Sequence, residues 1–151
     1  MAKITTDFRK LFKKFKEFER ETVTALQGPL KREIVKEISQ GRSPVKGKSR
    51  YKKYSESYRK AIKAGRYSKW SKRVTPVNLR LSGDLMSSIV SSVSRRILRI
   101  SFTDDKALLH QEGKGNLPVR KLLPGPGEKF TKTIQLMMRE FVAKRAKRTF
   151  R

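Results

Sequence analysis

The chain has 151 residues, enough for one domain with a real core, yet only 36% of them are apolar and 34% are charged. Its 39 lysines and arginines against 13 acidic residues give a net charge of +26. With no cysteine and one histidine, disulfides, thiolate metal centres and histidine relays are excluded, and no apolar run reaches the roughly 18 residues of a membrane span. The first residues lack the apolar core of a secretory signal, so synthesis in the cytoplasm is expected.

Residues 1–40 read as a long helix. Phe8, Leu11, Phe12, Phe15 and Phe18 recur at three- and four-residue steps, with Asp7 as N-cap, and Leu26, Leu30, Ile34 and Ile38 extend the stripe. The Phe stripe is expected to be core, or else the face on which a neighbouring subunit docks. Gly28-Pro29 predicts a kink or break, and Gly41 a C-cap.

Residues 41–75 form a basic linker with 13 cations and one acid. Cations interleaved with aromatic rings suit phosphate and base contacts, an acidic protein surface, or a solvated loop. The candidate partner- or DNA-contacting residues are Arg42, Lys46, Lys48, Arg50, Tyr51, Lys52, Lys53, Tyr54, Arg59, Lys60, Lys63, Arg66, Lys69, Trp70, Lys72 and Arg73. Ser55 to Ala64 could form a short helix with Tyr58, Ala61 and Ile62 on one side. No recognised nucleic-acid motif accompanies the charge.

Thr75 to Ile89 begins with an extended entry. Pro76 disfavours helix at Thr75, and Leu79 and Leu81 alternate with Arg80. Ser82-Gly83-Asp84 then breaks the chain, and Leu85, Met86 and Ile89 follow at helical spacing. Val90–Ser94 and Ile97–Phe102 read as a hairpin turned at Arg95-Arg96, followed by a short helix or turn over Lys106–Glu112 stopped by Gly113. Leu117–Leu123 is expected as a third strand. A last helix is expected from Glu128, with Phe130, Ile134, Met137, Met138, Phe141 and Val142 on its apolar face and a basic tail beyond Ala143. The unit from 76 to 148 reads as a small α+β core.

Catalytic chemistry is hard to assemble from these residues. Asp104 and Asp105 are adjacent, so on a strand they face opposite ways. The serines at 87, 88, 91, 92 and 94 sit in no nucleophile elbow, and Gly113-Lys114-Gly115-Asn116 is no phosphate loop, because no helix follows it. No enzyme activity, cofactor or metal is expected.

Three short runs in fixed order resemble the tail-completion, or head–tail joining, proteins of tailed bacteriophages, the virion-morphogenesis group of neck proteins. They are Leu81-Ser82-Gly83-Asp84-Leu85-Met86-Ser87-Ser88-Ile89, then Ala107-Leu108-Leu109-His110-Gln111-Glu112-Gly113, then Pro118-Val119-Arg120-Lys121-Leu122-Leu123-Pro124. Lys121 stands where that family usually carries an apolar or aromatic residue. The resemblance implies a small twisted antiparallel sheet packed against long N- and C-terminal helices, in a structural virion protein. It also implies a ring, expected to be hexameric, between the head-side connector and the tail tube or its terminator. On that reading the basic linker extends as an arm towards an acidic partner surface or the channel DNA, and His110, Gln111, Arg120 and Leu122 lie at subunit interfaces. The alternative expectation is a free nucleic-acid-binding protein.

Overall fold

The computed structural model describes residues 8–48, 50–70, 73–79, 84–115 and 117–150, leaving out the side chains of Phe8, Arg9, Leu11 and Trp70. Asp7, Lys72, Arg80, the Leu81-Ser82-Gly83 start of the first run and Asn116 lie outside the described residues.

The first helix, α1 (Phe8–Ser39), has 32 residues, about 48 Å at the usual rise. It passes through Pro29 without a break. Proline removes one backbone hydrogen bond, and the face carrying Leu30, Ile34 and Ile38, all buried, holds the helix across that gap. The N-terminal half behaves differently. Phe12 is 65% exposed and Phe15 45% exposed, so this part of the stripe is no core within one chain. α1 ends in a Schellman motif. Gly41 at φ +73° donates to the Ile38 carbonyl, and Arg42 N–H reaches back to the Glu37 carbonyl at 3.0 Å.

The basic linker is folded onto the molecule over its described residues, which corrects the expectation of an extended arm. Val45 is 0% exposed and forms a bridge with Phe130; Lys46 N–H donates to the Lys129 carbonyl at 2.8 Å, and Thr131 N–H to the Pro44 carbonyl at 2.9 Å. Arg42 and Arg50 pair as a second isolated bridge, and Tyr51 N–H donates to the Gly41 carbonyl at 2.9 Å. Tyr51 and Tyr54 are buried. The short helix expected at 55–64 is present as α2 (Glu56–Lys63), with Ile62 buried.

Between α2 and the sheet, Thr75-Pro76 is a cis peptide and Leu79 has φ +50°; the expected alternation of Leu79, Arg80 and Leu81 lies largely outside the described residues. Asp84 does open a helix, α3 (Asp84–Ser87), but it lasts four residues. Ile89 already belongs to β1 (Ile89–Ser94), which pairs antiparallel with β2 (Ile97–Phe102) as the hairpin pattern predicts. Pairs Ile89–Phe102, Ser91–Ile100 and Val93–Leu98 face inward. Arg95 and Arg96 both have positive φ, 47° and 68°, the pattern of a type I′ turn. α1 runs antiparallel to β1 across that inward face: Lys31 Nζ donates to the Ile89 carbonyl at 2.5 Å, and Ser91 Oγ to Gln27 Oε1 at 3.0 Å. Nearer the tip, Arg96 pairs with Glu19 at 2.6 Å. That last pair is half exposed at both ends, so it is worth about 1 kcal/mol or less.

Asp104 caps α4 (Asp105–Glu112) by accepting from Lys106 N–H at 2.9 Å, and Gly113 stops it at φ +73°. The expected third strand at 117–123 does not form: the segment is irregular and pairs with no strand among the described residues. Its backbone groups go elsewhere. Arg120 N–H donates to the His110 carbonyl at 2.7 Å, and Gln111 Oε1 accepts from Leu122 N–H at 2.6 Å and from Leu123 N–H at 3.2 Å. The Lys121 carbonyl accepts from Ser43 Oγ at 2.8 Å and Tyr51 Oη at 3.2 Å. These partners satisfy the strap without a ladder.

The last helix, α5 (Lys132–Thr149), starts four residues later than expected. Thr131 is its N-cap, while Glu128 stays in the preceding turn, accepting from Gly125 N–H at 2.8 Å. α5 lies antiparallel on α1, with Phe150 beside Phe15 and Arg145 Nε donating to Thr22 Oγ1 at 3.3 Å. Ile34, Ile38, Ile89, Leu122 and Ile134 form the fully buried centre. The fold is of the α+β class: a two-stranded antiparallel sheet with the long terminal helices packed on it.

Gly41 tests how the linker is held. A Cβ there would meet Pro76 Cβ at 2.9 Å and Val77 backbone at 3.2 Å, in a backbone conformation that side chains disfavour. Gly41→Ala is expected to lower stability by about 1–3 kcal/mol, read from urea unfolding midpoints.

Candidate binding cleft

The folded linker builds one wall of a cleft of about 650 Å³, and α4 with the 117–120 strap builds the other. Tyr54, Tyr58 and Tyr67 line the linker side. Their rings form a chain, Tyr54 to Tyr58 at 5.1 Å and 73°, Tyr58 to Tyr67 at 5.3 Å and 49°. The sequence produces this locally: Tyr54 precedes α2, Tyr58 lies in its first turn, and Tyr67 follows the left-handed Gly65 that turns the chain back. Leu79, Leu85, Leu109, Leu117 and Pro118 supply apolar wall, while Lys53, Arg66 and Lys106 bring cations and Asp104 one acid.

Arg120 also lines the cleft and is 2% exposed. Its guanidinium sits 5.4 Å from the Tyr54 ring centre, within cation–π range. Nη2 donates to the Lys52 carbonyl at 3.2 Å, and Nη1 lies 3.5 Å from His110 Nδ1. Nε has no hydrogen-bond partner, and no carboxylate among the described residues contacts the group. Burial lowers the Arg120 pKa from its ordinary value, with the neighbouring tyrosines acting in the opposite direction. The tyrosines answer to the same burial. Desolvation pushes Tyr54 from 10.0 up to about 12, against the lowering effects of the Leu79 N–H bond and Arg120, and pushes Tyr51 higher still.

The candidate residues divide by exposure. Lys46, Lys48, Arg50, Lys52, Lys53, Lys60, Lys63, Arg66, Lys69 and Arg73 are exposed, and Arg59 is partly so. Arg42 is exposed but committed: its Nε and Nη2 grip the buried Glu37 carboxylate at 2.9 and 2.8 Å, and Nη2 also contacts Gln40 Oε1. Tyr51 and Tyr54 are buried, so they are packing residues instead of an outward stacking platform. Lys72 and the Trp70 side chain lie outside the described residues.

Of the four interface candidates, Leu122 is 1% exposed and belongs to the core, because the strap carries it beneath the linker. Gln111 is spent on the strap backbone, its Nε2 donating to the Leu123 carbonyl at 2.7 Å. Arg120 and His110 meet in the cleft, so Arg120 is a buried cleft residue and no surface contact. Tyr58, Tyr67, Asp104 and Lys106 complete the site without having been candidates. Tyr58 and Tyr67 carried a signal, as aromatics interleaved with the linker's cations.

Compared with protein-family models, with curated proteins and with solved structures, the chain matches none.

The raised tyrosines give a pH dependence of known sign. Folding favours the neutral phenol of Tyr54, so that stability is present below pH 10.0, the midpoint at which an unfolded tyrosine ionises, and is lost as pH rises to about 12. Urea midpoints should fall across this range, and Tyr54→Phe should flatten the fall. Phenolate absorbance of the native chain should show Tyr54 ionising late.

Proposed function

We propose that this chain is a structural protein of the neck of a tailed bacteriophage, completing the tail or joining head to tail, and no enzyme. Copies form a ring, hexameric on the family resemblance, between the connector and the tail tube or terminator. The α+β class, with long terminal helices on a small antiparallel sheet, is the one this reading requires.

The observation that carries the assembly is the aromatic patch where the start of α1 meets the end of α5. Phe12, Phe15 and Phe150 are exposed there, with Phe15 and Phe150 at 4.8 Å and Phe18 and Phe150 at 5.2 Å. Leu136 and Val142 of α5 are exposed as well. A long helix leaving bulky rings in water is stabilised by docking against another surface. A second copy supplies it in a ring. Like charges of +26 per chain oppose this association, so rings favour salt that screens them.

A second reading, a free nucleic-acid-binding protein, has its own support in the exposed cations of residues 46–73. With Tyr51 and Tyr54 turned inward, its contacts would go mainly to phosphates, independent of sequence and steeply weakened by salt.

Light scattering at physiological salt is expected to give a mass of several chains, and electron microscopy closed rings. Phe12→Ser with Phe15→Ser is expected to yield monomers of unchanged helicity by circular dichroism. A chain that stays monomeric at every salt concentration while shifting DNA in gels would replace the neck reading with the second one. No helix among the described residues is long and apolar enough to cross a membrane.

A further inference from the structure

We propose that the Tyr54–Arg120 cleft is a socket for an acidic peptide segment of a partner protein, a carboxylate carried on an apolar stem, with Arg120 taking the charge. This rests on the cleft alone and stands whether or not the chain belongs to a phage neck.

The first argument is the buried guanidinium. A cation taken out of water needs an anion or a full set of acceptors. Arg120 has one carbonyl and one imidazole nitrogen nearby, and its Nε is unpartnered. A ligand carboxylate in the cleft supplies the missing charge beside the guanidinium. The second argument is charge around the opening. Lys53, Arg66 and Lys106 outnumber Asp104, whose carboxylate is already engaged in capping α4. The third is the walls. Leucines, a proline and three phenol rings line the cleft, and a cavity of about 650 Å³ takes an apolar side chain together with its acidic neighbour.

The ring geometry argues against a nucleobase as occupant. The tyrosine pairs are inclined at 73° and 49°, so they form no parallel sandwich, and Arg120 already lies over Tyr54. A second copy of this chain is a poor occupant. Its one acid–apolar–acid run, Glu17-Phe18-Glu19, is held within α1, with Glu19 paired to Arg96. The occupant is therefore a segment of a different, acidic protein.

The test uses the full chain and three fluorescein-labelled probes: a hexapeptide alternating Glu and Leu, the same peptide with Gln for Glu, and hexathymidylate. Anisotropy at physiological salt is expected to show the Glu peptide binding at least about tenfold more tightly than the Gln peptide. Lys53→Glu with Arg66→Glu should weaken it by a similar factor, whereas Lys147→Glu with Arg148→Glu, the same change of net charge far from the cleft, should not. The Arg120 Nε–H resonance should move on saturation with the Glu peptide, a readout that needs no substitution in the core. Arg120→Met, provided it keeps the native circular dichroism spectrum, should abolish the difference between the two peptides. The proposal is overturned if both peptides bind alike, if the two double variants weaken binding equally, or if the Arg120 resonance stays still. It is also overturned, in favour of nucleic acid, if hexathymidylate moves that resonance and the Glu peptide does not.

Discussion

One backbone carbonyl organises much of this molecule. The Lys121 oxygen accepts hydroxyl hydrogen bonds from Ser43 and Tyr51, two residues of a segment some seventy positions earlier in the chain. With the insertion of Val45 beside Phe130, that contact converts a basic linker into a structural layer. The start of α5 depends on it, since Thr131 donates to the Pro44 carbonyl within the same seam. So does the cleft, because Tyr51 and Tyr54 must be turned inward before Tyr58 and Tyr67 can line a wall opposite Arg120. The free energy of each bond is modest, about 1 kcal/mol, and the larger contribution is the removal of Val45, Tyr51 and Tyr54 from water.

Elements whose signal was periodic or carried by caps were legible in the sequence. The two long helices, the hairpin with its turn at Arg95-Arg96, the Gly41 and Gly113 stops and the short helix at 56–63 are all present, although α5 starts four residues late and α1 continues through Pro29. What failed was tertiary. Pro44-Val45 is too short an apolar run to stand out among lysines, so nothing local announced that the linker would fold back. The strap at 117–123 has strand composition, but Gln111, Ser43 and Tyr51 take up its backbone groups in place of a neighbouring strand. The Phe stripe of α1 has the spacing of a core helix, and spacing cannot say whether the covering surface comes from the same chain. The cleft was half legible: Lys53, Tyr54, Arg66, His110 and Arg120 stood out individually, but only the fold brings 54 and 120 together.

The charge is accommodated by segregation along the linker. Among its described residues nearly all lysines and arginines are exposed while Val45, Tyr51, Tyr54 and Ile62 are buried, and no helical or strand period reveals the division. The pairs Lys60–Glu56, Arg96–Glu19 and Lys114–Glu112 are exposed at both ends and do little to offset the excess. The pair of Arg42 with Glu37 differs, because it is bidentate and Glu37 is buried, and it pins the start of the linker to the end of α1.

The two-residue turn at Arg95-Arg96 has a consequence for how the sheet can err. With no spare residue at the tip, β1 and β2 cannot slip by a single step without breaking the turn or pushing Leu98, Ile100 and Phe102 to the solvent face and Arg99 under α1. A two-stranded sheet has little cooperativity of its own, yet its register here is set at one end by turn length and along its face by the helix lying on it. The hairpin thus acts as a ruler for α1, fixing which of its turns sits over the sheet and how far its first turns overhang beyond the Arg96 end.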